Sequence, residues 1–326
     1  MHGIRERVAG SFAEVRAWLK RPWVGPLLAL IVVYAIFAAL RPDTFLSALT
    51  LKVMLRQTVV VGLCAVGMTL VIALAGIDLS VGSIVALVAV VVAHQLKAGR
   101  GVITAVALGV LVGLACGFLN GALTAALRIT PFIVTLSTMS ILRGLAKGLA
   151  KEQPINAQPQ GLETMMTMTS SGPNPFPPAV WLTATVALIG SIALGSTRFG
   201  RHLIATGSNE AASRLAGISV TRVTLLTYTQ LGLLAGLAGV MQFSHLTVGD
   251  PTDSPGLELS VIAAVVIGGG SLSGGQGSVM GSMFGAMLMT VIATGATYIG
   301  IANWVQQILT GFIIVTACAL ERFRRP

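Results

Sequence analysis

The chain of 326 residues is 54% hydrophobic, only 10% charged and holds 38 glycines, with a mean hydropathy of +0.86. A soluble domain is typically about 25% charged, so this balance excludes the soluble globular class and points to a polytopic membrane protein. The formal charge of +10 does not mark a nucleic-acid surface, because Lys and Arg stand at the ends of apolar runs and not along one amphipathic face.

The chain opens on a basic leader in which residues 4–19 have the spacing of a helix lying on the membrane surface. Ile4, Val8, Phe12, Val15 and Leu19 share one face, and Arg5, Arg7 and Arg16 lie off it. The apolar run that follows is near spanning length and many more come after it, which favours a retained first span over a cleaved signal peptide. About 20 apolar residues cross a hydrocarbon core. Apolar segments fall at 24–40, 57–75, 80–95, 102–127, 132–150, 179–197, 223–243, 257–270, 277–298 and 303–320.

The expected fold is therefore all-α, a polytopic membrane protein of about ten transmembrane segments with one or two short broken helices. The third and eighth segments are short and flanked by glycine, which suits broken or re-entrant helices inside the bundle. Residues 1–23 form a cytoplasmic amphipathic segment in this reading, 24–320 one transmembrane domain and 321–326 a cytoplasmic tail. With the amino terminus inside, the inner segments carry Lys20, Arg21, Arg128, Arg198, Arg201, Arg214, Arg222, Arg322, Arg324 and Arg325 besides the leader arginines. Arg41, Lys52, Arg56, Lys97, Arg100 and Lys151 fall outside, so the bias places both termini in the cytoplasm.

Two hydrophilic segments interrupt the pattern. Residues 151–178 are rich in Pro and Asn and read as an outer, periplasmic capping loop of little regular structure. Residues 198–222 are cytoplasmic and differ in kind, with Asn209-Glu210 opening a short helix that Gly217 ends.

Gly109, Gly113, Gly117 and Gly121 form one ladder at helical spacing, and Gly277, Gly281 and Gly285 another. Small residues at i, i+4 let helix backbones approach closely in lipid, so both read as packing faces; glycines lining a narrow pore are the alternative. "GIDLSVG" at 76–82 and "GGSLSGG" at 269–275 share G-x-x-L-S-x-G between apolar segments. They suit paired helix breaks in two halves of a transporter, or coincidence in a chain this rich in Gly and Ser.

Catalytic patterns do not emerge. "GGGSLSGGQGS" has the glycines of a phosphate loop without its lysine, and there is no H-E-x-x-H and no Cys/His cluster. Cys64, Cys116 and Cys318 lie in apolar segments without metal or redox spacing, and His94 and His245 stand singly near segment ends. Asp78 is the acid set between two apolar segments, with Glu258, Arg143 and Lys147 near segment ends, which gives thin support for ion coupling. Neutral polar groups are more plentiful: Gln57, Asn120, Thr124, Gln230, Asn303, Gln306 and Gln307. A hydroxyl-rich solute would pass them by exchanging hydrogen bonds.

Four stretches carry a family resemblance: "GMTLVIALAGIDLSVGSIVAL", "GFLNGALTAALRITPFIVTLSTMSILRG", "RFGRHLIATGSNEAASRLAGISV" and "LELSVIAAVVIGGGSLSGGQGSVMGSMFGA". In that order, over about residues 55–320, they resemble the permeases of ribose/xylose/galactose-type ABC sugar importers. The resemblance implies a bacterial inner-membrane subunit paired with a second copy or a sister permease. It also implies a cytoplasmic ATPase with two nucleotide-binding halves and a periplasmic sugar-binding protein; ATP and Mg would sit on the ATPase, with no cofactor and no catalytic residue on this chain. "ATGSNEAASRLAGISV" resembles the coupling segment, so Gly207, Asn209, Glu210, Ala212, Leu215, Gly217 and Ile218 would dock into the ATPase; by its residues alone it is equally an ordinary amphipathic surface helix. ATPase closure would then switch the permease pair between outward- and inward-open states. Branched-chain amino acid permeases are the nearest competing reading, followed by an ion-coupled secondary transporter and, least, a membrane enzyme.

Asp78, Ser80, Ser83, Asn120, Ser271 and Ser273 are the candidate path or gate residues. Asp78 has two readings: a cap that accepts from the Ser80 and Val81 amides at the start of the third segment, or a group that gates or contacts the solute.

Overall fold

The computed structural model describes residues 22–168 and 176–323. The amphipathic segment expected at 4–19 lies outside the described residues, as do Arg324 and Arg325. Among the described residues the chain is almost wholly helical. α1 (Val24–Leu40) and the single turn α2 (Pro42–Phe45) lead into α3 (Ala48–Ala73), α4 (Val81–Lys97), α5 (Val102–Leu127) and α6 (Pro131–Ala150). α7 (Pro178–Ser196) is followed by two short polar helices, α8 (Arg198–Ser208) and α9 (Glu210–Leu215). Then come α10 (Val220–Leu246), α11 (Leu257–Ile267), α12 (Val279–Tyr298) and α13 (Asn303–Phe323).

Among the described residues six helices are long and apolar enough to cross a membrane: α3, α5, α6, α7, α10 and α12. α1, α4, α11 and the apolar part of α13 are shorter. The helix starts follow local chemistry. Ser47 Oγ accepts from the Thr50 amide at 3.1 Å to open α3, Ser278 Oγ accepts from the Gly281 amide at 3.1 Å to open α12, and Pro131 and Pro178 occupy first turns that need no amide donor.

α4 sits at the centre. Val81 through Val90 are buried without interruption, so this helix has no lipid or solvent side over that length. α5, α6 and α10 pack around it, and α10 runs along α5 more extensively than any other pair. Glycine makes that contact possible: a Cβ on Gly113 would stand 2.5 Å from Gly236 Cα, and one on Gly117 2.7 Å from Gly232 Cα. Gly121 faces Leu225 of α10, and Gly109 faces Val92 and Val88 of α4. On the second ladder Gly281 and Gly285 lie against the Gly268 and Ala264 carbonyls at the end of α11. Gly277 departs from that ladder, because α12 starts two residues later and Gly277 faces Thr69 of α3.

Residues 151–168 of the expected outer loop are more regular than their composition suggests. β1 (Ile155–Asn156) pairs antiparallel with β2 (Val248–Gly249), and a 3-10 turn follows at Leu162–Met165. Ile155, Leu162 and Met166 are buried in the main core, and Ser244 Oγ donates to the Leu162 carbonyl at 2.7 Å. Burial of three large side chains is what orders a Pro- and Asn-rich segment here, a tertiary effect that local composition does not reveal.

Candidate functional site

The break between α3 and α4 is built around Asp78, which is fully buried. Its Oδ1 accepts from the Ser80 amide at 2.7 Å and from the Ser80 hydroxyl at 2.6 Å. Asn120 Nδ2, from α5, donates to Asp78 Oδ2 at 3.1 Å and to Ser80 Oγ at 2.8 Å. Thr135 Oγ1, from α6, donates to the Ile77 carbonyl at 3.1 Å. Of the two amides expected as partners, Ser80 is the one that bonds. No Lys, Arg or His pairs with this carboxylate: among the described residues the one ion pair is Glu210–Arg214, at the surface. Buried polar groups are normally all hydrogen-bonded, yet Ser83 Oγ, Asn120 Oδ1, Thr124 Oγ1 and Tyr228 OH are buried without a protein partner. The Tyr228 hydroxyl lies against Gly76, where a Cβ would be only 2.5 Å away.

Beside this node, at one end of the bundle, opens a cavity of about 390 Å³. Gly76, Thr124, Arg128, Gly207, Asn209, Glu210, Arg214, Thr224 and Tyr228 contribute to its wall. α8 closes one side of it and is fastened tightly. Gly207 lies against the Ala73 carbonyl at the end of α3, with Gly275 N 2.9 Å from where its Cβ would be. Gly275 N in turn donates to the same Ala73 carbonyl at 2.9 Å. Three segments distant in sequence thus meet backbone to backbone.

α9 is held differently. Asn209 Oδ1 accepts from the Ala212 amide at 2.9 Å and starts it, Gly217 follows it with φ of +80°, and Ala212, Leu215 and Gly217 are all exposed. Leu215 is 91% exposed, an apolar side chain at the tip of a polar hairpin. Ser213 faces inward and Ile218 packs at the edge of a small core of Leu194, Leu203 and Val223.

The second break, residues 268–278, is longer and turns on glycine: Gly269, Gly274 and Gly275 have φ of +88°, +81° and +76°. Ser271 is buried with its Oγ unbonded, and Ser273 is exposed. The two breaks that share G-x-x-L-S-x-G differ in place. Gly82 falls inside the first turn of α4, whereas Gly275 precedes α12 by four residues. The start of α4 instead lies against the start of α11, with Glu258 Oε2 at 2.5 Å and the Ser254 carbonyl at 2.8 Å from where a Cβ on Gly82 would be. Of the candidate path residues, Asp78, Ser80 and Asn120 come together, and none of the six is in the wall of the cavity beside them.

A second cavity, of about 380 Å³, lies among α3, α10 and the start of α11. Arg56, Gln57, Val60, Gln242, His245, Asp253, Leu257 and Ser260 surround it. Gln57 is 16 residues before Ala73 on α3, about 24 Å along the helix at ~1.5 Å per residue, so this cavity stands toward the opposite end. Gln242 Nε2 donates to Asp253 Oδ2 at 2.7 Å, and Ser254 Oγ to the same oxygen at 3.0 Å. Arg143 of α6 fastens the loop by donating to the Pro251 and Asp253 carbonyls at 2.9 and 2.7 Å. Thr294 Oγ1 donates to Gln57 Oε1 at 2.9 Å. Gln242 and Asp253 escape sequence reading, since they are set 11 residues apart on either side of a turn; Gln57 is among the neutral polar residues that sequence reading offers to a hydroxyl-rich solute.

The chain matches, over residues 50–318, the family described as branched-chain amino acid transport system / permease component. It is 36% identical over 317 residues to the ribose import permease protein RbsC of Escherichia coli strain K12, covering 97% of this chain and 98% of the relative. It is 33% identical over 318 residues to the L-arabinose ABC transporter permease protein AraH of Azospirillum brasilense, covering 98% and 93%. It is also 33% identical over 310 residues to the fructose import permease protein FrcC of Rhizobium meliloti, covering 93% and 86%. No solved structure gives a significant match.

Proposed function

The chain belongs to the permease-component family of branched-chain amino acid transport systems, and from that premise we propose that it is the permease subunit of an ATP-binding-cassette importer for a monosaccharide or related small polyol. It is a multi-pass protein of the bacterial inner membrane. The observation that carries the solute class is the set of relatives aligned almost end to end, whose names specify ribose import, an L-arabinose ABC transporter and fructose import. All ten apolar helices then belong to the membrane domain, with both termini in the cytoplasm, as the placement of Lys and Arg supports. Partners are a second permease copy or sister permease, an ATPase with two nucleotide-binding halves that holds ATP and Mg, and a periplasmic sugar-binding protein.

Mechanically the chain supplies a path and a lever. α9 presents Leu215, Ala212 and Glu210 to the ATPase, and α8 passes displacement through Gly207 to the end of α3 and to the 268–278 loop. Because those contacts are backbone to backbone, with no flexible side chain between them, a push on α9 moves both breaks together. Asp78, Ser80 and Asn120 hold the first break to α5 during that motion and form the candidate inner gate.

The test is uptake into proteoliposomes containing this chain, its ATPase and its binding protein, with radiolabelled D-ribose, L-arabinose, D-fructose and L-leucine. ATP-dependent accumulation of a sugar is expected. Accumulation of leucine alone, or uptake that survives removal of the ATPase, overturns the reading. Leu215→Asp should release the ATPase on co-purification, because a charge in a desolvated apolar contact costs about 2 kcal/mol or more of association.

A further inference from the structure

The cavity between α3, α10 and the start of α11 is not accounted for by coupling. Its size falls within the about 300–1,000 Å³ of small-molecule sites, and its wall mixes a few polar groups with apolar surface from Val60 and Leu257. The polar atoms are already oriented. Gln57 Oε1 and Gln242 Nε2 are taken up by Thr294 and Asp253, which leaves the Gln57 amide as donor and the Gln242 carbonyl as acceptor. Arg56 Nε is buried without a hydrogen-bond partner. That is costly unless an acceptor arrives.

We propose that this cavity receives the transported solute as a neutral, polyhydroxylated ring, with Gln57 and Arg56 donating to its hydroxyl oxygens and Gln242 accepting from a hydroxyl. The inference rests on the importer reading and adds its solute subsite. Charge selects neutrality: an anion that gained Arg56 would face Asp253, and a cation that gained Asp253 would face Arg56. A sugar hydroxyl both donates and accepts, so it satisfies this mixed set, while the carbon face of the ring covers Val60 and Leu257. The aliphatic side chain of leucine would leave the Gln57, Gln242 and Arg56 groups unmatched.

The experiment uses the same proteoliposomes and the variants Gln242→Leu and Gln57→Leu, each first shown to co-purify with the ATPase. Uptake of the transported sugar is expected to fall at least tenfold. Gln242→Asn is expected to change the D-ribose to L-arabinose uptake ratio at least threefold, a readout that a merely structural role would not move. Gln57 is exposed, so Gln57→Leu carries the test if Gln242→Leu does not assemble. Uptake within twofold of the native chain, or an equal fall for every sugar with the ratio unchanged, overturns the subsite while leaving the importer intact. Absence of ATP-dependent sugar uptake by the native chain would instead remove the reading beneath it.

Discussion

At the α8 end of the bundle, Gly207, Ala73 and Gly275 bring three segments into backbone contact; toward the other end, Gln57, Gln242 and Asp253 surround about 380 Å³ of open space. The first arrangement has no side chain that can yield. The second is made of side chains anchored by hydrogen bonds to a neighbouring helix and to a turn, which leaves their remaining polar atoms for a solute. A lever needs the former and a binding site the latter, so under the proposed function force transmission belongs to one end and recognition to the other.

The largest test of that contrast is Gly207→Val. Its Cβ would enter the Ala73 carbonyl, and overpacking against backbone costs about 3 kcal/mol or more where nothing can shift. Loss of monodisperse protein, or a large fall in apparent Tm in detergent, is expected. Gly148→Val on α6, where nothing lies within 4 Å, should change stability by about 0.5 kcal/mol or less. Equal effects of the two would mean that the seam is looser than its backbone geometry requires.

Asp78→Asn probes the joint between the two ends. The amide keeps an oxygen for the Ser80 donors but turns an NH₂ toward Asn120 Nδ2, donor against donor, for a loss of about 2 kcal/mol. The double variant Asp78→Asn with Asn120→Asp reverses the direction of that bond and should recover half or more of the lost stability. Recovery of stability without recovery of uptake would show that the carboxylate at residue 78 gates the path; recovery of both would make the node a structural tie.

Much of the architecture is legible in the residues because apolar length decides it: each of the ten apolar segments forms a helix. The start of α3 is not, since Lys52, Arg56 and Gln57 lower the hydropathy of a helix that Ser47 caps ten residues before the apolar run. α8 is also hidden. Its polar residues read as loop until Leu203 and Gly207 are seen buried against α3 and α7. The seven-residue Asp78 signature is visible in the sequence, but Asn120 lies 42 residues away and only the α4–α5 packing joins them. The second cavity is the least legible part, because its polar atoms come from three helices and a turn and no local pattern links them.

The smallest effect separates folding from coupling at α9. Arg214 Nη2 and Glu210 Oε1 form an i,i+4 pair at 2.6 Å, but the two side chains are 46% and 60% exposed. Such a pair contributes about 0.3–0.5 kcal/mol, and salt screens it. Glu210→Gln should therefore leave the apparent Tm unchanged, at low and at high salt alike. Asn209 still caps the helix in that variant, and Leu215 still stands at its tip, so α9 keeps its shape. Any fall in ATPase stimulation by the loaded binding protein then arises at the partner's surface. A fall in Tm of several degrees would instead make the pair part of the framework of α9 and remove the reason to place Glu210 in the contact.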